Sequence, residues 1–137
     1  LEIGRGAVIS ARTIIELHDS SLPNVLGHGP NRIGPVVIAE RAYIGVNRVI
    51  LHGTHVGAGA IVGACSLVNR DIPAGEVWAG TPATRIGTVA GLLEKRNRDS
   101  NPRAGQFEWM GEPEKVAIDY PAAKAGLLEK VRKHFQR

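Results

Sequence analysis

The stretch "IAERAYIGVNRVILHGTHVGAGAIVGACSLV", residues 38–68, decides the fold. Branched aliphatics return at every sixth position: Ile38, Ile44, Ile50, Val56, Val62 and Val68. An amphipathic helix repeats its apolar positions at three and four and a two-faced strand at two, so a strict six matches neither. A period of six requires a turn in every unit. In a solenoid of triangular cross-section, each side is one six-residue unit with its aliphatic pointing inward, and three units close a coil of 18 residues. Stacking then sets Ile38 beside Val56, Ile44 beside Val62 and Ile50 beside Val68, about 4.8 Å apart by parallel strand spacing.

The fourth residue after each aliphatic lies near a corner, where little volume is left. Ala42, Thr54, Ala60 and Ser66 are small there, and Arg48 is the misfit, expected to point outward at a distorted corner. Gly45, Gly57 and Gly63 follow their aliphatics and are expected to supply conformational freedom beside the turns. Upstream the same phase holds at Ile3, Ile9 and Ile15, with Ala7 and Thr13 in the small positions, so one more coil precedes an interruption. That interruption, residues 16–37, is rich in Gly and Pro, has no period of its own, and reads as a loop thrown out from one corner.

Composition agrees with a repeat core built from Ile, Val, Leu and Ala: of 137 residues 43% are hydrophobic but only 4% aromatic. The net charge of +4 is spread along the chain, and no Lys/Arg stripe interleaves with aromatics, which argues against nucleic-acid binding. Cys65 is the single cysteine, so neither an internal disulfide nor a cysteine-based zinc site is available and a reducing, cytoplasmic setting is the default expectation. No run is apolar for the length of a membrane span. Leu1 already stands inside a repeat, so a preceding segment is expected to have been removed and a targeting signal is not judged.

The phased run "YIGVNRVILHGTHVGAGAIVGACSLVNRDIPAGEVWAGTPATRIG", residues 43–87, resembles the hexapeptide-repeat acyltransferases, and within them the maltose and xenobiotic O-acetyltransferase branch. The resemblance covers residues 1–87. It implies an all-β fold, a left-handed parallel β-helix, ending in a terminal coil at "NRDIPAGEVWAGTPA" that closes an acyl-CoA groove. After Gly87 the pattern changes to a helical C-terminal extension, residues 88–137. "TVAGLLEKR" is a first helix candidate, and a second starts at Pro121, with Leu128, Val131 and Phe135 on one face. An end cap for the open solenoid is its expected role.

Moving an acyl group from a thioester to a hydroxyl needs a base, and histidine is the side chain matched to that task near neutral pH. By the resemblance, the base is His18, at the entrance of the interruption and 25 residues before Tyr43. It would take the acceptor's proton while the acceptor oxygen attacks the thioester carbon, with Glu16 or Asp19 orienting its ring. His28, on the loop, is a candidate for lining the acceptor site. Acetyl-CoA would be the donor, its pantetheine and phosphates meeting Val46, Ala64, Asn69, Arg70 and Arg85, and the sites would lie between the subunits of a homotrimer. Thr84 stands where the family places a basic residue directly after "GTPA", which leaves the phosphate role of Arg85 open against a plain solvated arginine. Cys65 reads as a packed small residue rather than a nucleophile.

Two rival readings stand beside this one. A catalytically silent β-helix would serve as a scaffold or binding module. A γ-class carbonic anhydrase would use histidines as zinc ligands, but His52 and His55 are three apart where that class has a pair five apart, and no metal is expected.

Overall fold

The computed structural model describes residues 1–98. Its strands are short because each side of the coil is short. The first coil holds β1 (Glu2–Ile3), β2 (Val8–Ile9) and β3 (Thr13–Ile15). An excursion follows, made of β4 (His18–Asp19), helix α1 (Ser21–Leu26) and β5 (Arg32–Ile33). The second coil holds β6 (Val37–Ile38), β7 (Tyr43–Ile44) and β8 (Arg48–Ile50), and the third holds β9 (His55–Val56), β10 (Ile61–Val62) and β11 (Leu67–Val68). The described chain ends in β12 (Glu76–Ala79), β13 (Thr84–Thr88) and helix α2 (Val89–Arg98).

Strands of successive coils pair in parallel, and the predicted register holds at every rung: Ile38 with Val56, Ile44 with Val62, Ile50 with Val68. Ile3, Ile9 and Ile15 of the first coil join the same three ladders opposite Ile38, Ile44 and Ile50. The six aliphatics that recur at the sixfold spacing are all fully buried. The result is a three-sided parallel β-helix whose interior is lined by three aliphatic ladders.

The excursion is tighter and more ordered than a loop over 16–37. Glu16 still donates to Ile50 O of the solenoid, and Val36 is already buried in it. Leu17 and Gly34 are joined by a hydrogen bond of 3.1 Å, and β4 and β5 pair antiparallel beyond them, with α1 at the tip. The helix ends at Gly27, whose φ of 73° makes the left-handed cap that a side chain would resist.

Two expectations about the corners are corrected. The glycines after the aliphatics are not placed there for backbone freedom, since none of Gly45, Gly57 and Gly63 has positive φ. They are there for close approach. A Cβ on Gly63 would lie 2.7 Å from the Cβ of Ala79, and one on Gly57 would collide with the backbone of Ala74 in the next coil. The left-handed positions fall two residues later, on Arg41, Asn47, Gly53, Gly59 and Cys65.

The second correction is Arg48, which points inward and is 1% exposed. Its side chain lies across Gly45, where a Cβ would overlap the guanidinium.

The terminal run departs from the repeat. Val56 bridges to Ile72 and Val62 pairs with Trp78, each 16 positions on, so the last coil is two residues short. The shortening falls at Asn69–Asp71. There the Asp71 carboxylate takes the role that a backbone carbonyl plays one coil earlier. His55 N–H donates to Asp71 Oδ1 at 2.8 Å, where Val37 N–H donates to Thr54 O. The chain then doubles back, β12 pairing antiparallel with β13, and Val77 and Ala83 close this end of the core. At the opposite end Ile3, in register with Ile38, is 53% exposed. Helix α2 matches the expected "TVAGLLEKR" segment; the helix expected from Pro121 lies outside the described residues. Among the described residues no helix is long and apolar enough to cross a membrane.

Candidate active site

The candidate residues separate onto two corners that flank the face formed by β3, β8 and β11. One corner, after those strands, carries the excursion, then His52–Gly53, then Asn69–Asp71. His18 is exposed at the root of the excursion, its backbone paired with Ile33 in the hairpin. Asn69 and Arg70 are exposed on the same corner, two coils on, which is about 10 Å along the axis by strand spacing. The other corner, residues 45–47 and 63–65, carries Val46 and Ala64, stacked in adjacent coils and joined by the Cys65 N–H to Val46 O bond of 3.2 Å.

Glu16 and His18 are not brought together. Strand β3 ends at Ile15, and the chain leaves the solenoid between Glu16 and His18, so the two do not share a strand face. Among the described residues no side-chain hydrogen bond reaches His18 from Glu16 or from Asp19. Asp19 Oδ1 accepts the Ser21 N–H at 2.8 Å. Its carboxyl is held below the usual carboxylate range by hydrogen bonds from the Ser21 side chain and backbone, which outweigh the opposing effect of desolvation, with smaller contributions from His52 and Arg32. Asp19 stands in register with Arg32 in the β4–β5 hairpin. His28 is exposed beyond α1, and among the described residues no three of His, Cys, Asp and Glu converge as a metal group would require.

Arg85 is engaged within its own hairpin, its Nε donating to Glu76 Oε1 at 2.7 Å. Glu76 Oε2 accepts the Trp78 Nε1–H at 2.8 Å. The Trp78 bond first, and Arg85 after it, hold the Glu76 carboxyl below its usual range. The Arg85 side chain remains 52% exposed beside this ion pair.

Cys65 is not packed as the sequence led us to expect. It is exposed, in left-handed conformation with φ of 56°, and Asn47 Nδ2 donates to its sulfur at 3.6 Å.

Sequence reasoning missed Arg48. Its Nη1 donates to Val46 O at 2.6 Å and its Nη2 to Val62 O at 2.7 Å, while Nε is buried with no acceptor. Burial pushes the guanidinium below its ordinary value, and among the described residues no carboxylate pairs with it. The available signal was an outsized residue in a small position three after a glycine.

Outward residues along the two faces beside the Val46 corner are apolar. Ile14, Val49 and Leu67 form one outer ladder, and Val8, Tyr43 and Ile61 form the other.

No family model matches the chain. A 2,3,4,5-tetrahydropyridine-2,6-dicarboxylate N-acetyltransferase of Staphylococcus aureus is 42% identical over 86 residues, covering 63% of this chain and 30% of that protein. The chain thus spans under a third of that relative's length. Among solved structures, a hexapeptide-repeat acetyltransferase of Vibrio cholerae complexed with acetyl coenzyme A superposes with a TM-score of 0.55 at 29% identity. It covers 63% of this chain and 49% of that one. A galactoside acetyltransferase in complex with coenzyme A gives 0.57 at 24% identity, over 77% of this chain and 49% of its own. In sequence and fold this chain resembles the hexapeptide-repeat acetyltransferases, and its fold is the left-handed parallel β-helix.

Proposed function

We propose that the protein transfers an acetyl group from acetyl-CoA to a hydroxyl, the acceptor being a carbohydrate, with His18 as general base. The observation that carries this reading is the place of His18. It stands exposed where a 17-residue insertion leaves the solenoid, on the corner that also bears Asn69 and Arg70. An imidazole there is open to an acceptor held by the excursion. In the reaction, His18 takes the hydroxyl proton, the acceptor oxygen bonds to the thioester carbon, and the carbon–sulfur bond breaks directly to CoA thiolate. The thiolate then recovers the proton from the imidazolium. No acyl-enzyme is required, and Cys65 has no part in the step.

The separation of His18 from Val46 and Ala64 onto different corners supports a site shared between copies, one supplying the base and its neighbour the pantetheine edge. The two apolar outer ladders support association as well. Ile14 is 55% exposed and Val46 50% in the single chain, a strip that a homotrimer would cover. The cytoplasm, where this donor is made, belongs to the same proposal.

A second reading is acetyl transfer to an amine, favoured by the N-acetyltransferase relative at 42% identity. The base and donor are unchanged; only the attacking atom differs.

Thiol release from acetyl-CoA, measured against a panel of sugar hydroxyls and amines, separates the two readings. His18→Ala is expected to lower turnover by about 10² to 10⁴-fold with CoA affinity unchanged. His28→Ala and His52→Ala are the controls. If either control abolishes turnover while His18→Ala leaves it intact, the base is misassigned. If the parent neither binds CoA nor releases thiol with any acceptor, the scaffold reading replaces the enzyme.

A further inference from the structure

The antiparallel pairing of β4 with β5 sets His18 directly opposite Ile33, and Asp19 opposite Arg32. In the neighbouring rung Gly34 N–H donates to Leu17 O at 3.1 Å. Hydrogen-bonded and non-hydrogen-bonded rungs alternate along an antiparallel pair, so His18–Ile33 is the non-hydrogen-bonded rung, in which opposite side chains stand closest. Opposite residues share one face of such a pair, and successive residues alternate between faces. His18 and Ile33 therefore lie side by side on one face of the hairpin, their Cβ atoms about 5 Å apart, while Asp19 and Arg32 take the other face.

This rung is held in place at its root. A Cβ on Gly34 would lie 2.6 Å from Gly53 N, so the stem of the excursion rests against the backbone of the corner that follows β8. What the hairpin presents beside the imidazole is hydrocarbon. Ile33 is 80% exposed, the highest value for any large hydrophobic among the described residues. The fold alone does not account for it. Ile33 lies outside the aliphatic core, and a threonine would suit a two-residue surface strand equally well.

We propose that Ile33 is an acceptor-specificity residue, the hydrocarbon surface against which the acceptor lies while His18 takes its proton. It selects a neutral ring with a C–H face, a pyranoside, over an open-chain polyol. The inference rests on the reading of His18 as the base and names a determinant within it. The reason is reach. A hydroxyl within about 3 Å of the imidazole brings the carbons on either side of it over the neighbouring position of the rung, where Ile33 stands. A pyranose gathers C–H bonds into a rigid apolar face that covers the exposed isoleucine. A flexible hexitol keeps every carbon hydroxylated and hydrated, and gains little from the same contact.

The test measures thiol release from acetyl-CoA with methyl glucopyranoside and methyl galactopyranoside, and with the corresponding hexitols, glucitol and galactitol. Because Ile33 is exposed, Ile33→Asn is expected to keep the parent's melting point, oligomeric state and KM for acetyl-CoA. The parent should favour the pyranosides. The variant should lose about 10-fold in kcat/KM for them, the lower end of what a lost hydrocarbon contact costs a substrate, with the hexitols within about 2-fold. A second pair of variants reads the closeness to the base. Ile33→Glu sets a carboxylate beside His18 where Ile33→Gln sets a neutral amide of the same shape. The acid limb of the kcat/KM profile is expected to lie about one pH unit higher in Ile33→Glu than in Ile33→Gln. Parent-like pyranoside kinetics in Ile33→Asn, or coincident pH profiles for the Glu and Gln variants, would overturn the proposal, while an inactive His18→Ala would keep the base assignment standing. A changed melting point or oligomeric state in Ile33→Asn would overturn it as well, assigning the isoleucine to a contact between copies. Activity confined to amines, or hexitols used as well as pyranosides by the parent, would overturn the acceptor class. If the parent releases no thiol with any acceptor, the acyltransferase reading fails and this inference fails with it.

Discussion

Replacing Ile44 with alanine tests both the ladder and the openness of its first end. Ile44 is fully buried in the middle coil, with Ile9 on one side of it and Val62 on the other. The change deletes three methylene-sized groups, worth about 2.4 kcal/mol of transfer free energy at about 0.8 each. The neighbours cannot collapse into the gap, because parallel backbone pairing holds each rung at its height. A cavity contribution therefore adds to the loss, for a total of about 3 to 4 kcal/mol. Ile9 is the same residue in the same ladder one coil earlier, yet it is only partly buried and has an inner neighbour on one side alone. Ile9→Ala is expected to cost about 1 to 2 kcal/mol, since water fills part of the space. The two variants should be compared by urea unfolding at one fixed protein concentration, because association shifts apparent stability. With about 4 to 8 °C lost per kcal/mol in a domain of this size, their melting points should differ by about 10 °C. Equal losses would mean that the first coil is covered as fully as the second, and the account of the open end would be wrong.

Three further outcomes are expected. Val62→Asp sets an unpaired carboxylate in the aliphatic interior and should yield no cooperatively melting protein; a soluble, two-state Val62→Asp chain would refute the ladder phase. Light scattering should give three copies per particle, and an active monomer at low concentration would place the whole donor groove within one chain. The third concerns Glu76, whose carboxyl is depressed by Trp78 and Arg85, so its folded state binds a proton less readily than its unfolded state. Its contribution is present above the ordinary carboxylate value of about 4.3 and lost as pH falls through the depressed one. The melting-point gap between parent and Glu76→Gln should accordingly close as pH drops from about 5 towards 3, and a gap constant across that window would contradict it.

The interior was legible from the sequence because a period of six with a branched aliphatic on each side has one economical solution, and Ile38 through Val68 follow it without exception. The register of the first coil was legible for the same reason. The corners were harder to read, since a corner residue answers to its stacked neighbours, which are 18 positions away rather than adjacent. Arg48 looked like an outward misfit because volume at a small position was counted residue by residue, whereas Gly45 supplies the missing space. The shortened step at Asn69–Asp71, with a carboxylate substituting for a carbonyl, was not read from the sequence. The hairpin and helix of the excursion were illegible for another reason: two-residue strands and a six-residue helix carry no periodicity to detect. His18 was placed at the mouth of the excursion by resemblance, and the structure puts it at that root. Glu16 was assigned to its strand face as though the strand continued, when the chain had already turned away.

The hydrogen bond between Leu17 and Gly34 ties the two ends of the excursion together at its base, like the stem of a keyhole. What lies beyond the stem is, to the solenoid, a closed loop, and the entropy of closing a loop rises only with the logarithm of its length, about 0.6 kcal/mol for each doubling. Length and composition in the arm are thereby nearly uncoupled from the stacking of the coils. The rungs on either side, Ile15 to Ile50 and Ile3 to Ile38, keep their register whatever the arm contains. A scaffold with such a junction can exchange its arm at small thermodynamic cost while its hydrophobic ladder stays as it is, so the sequence of the arm and the folding of the solenoid are separable traits in this molecule.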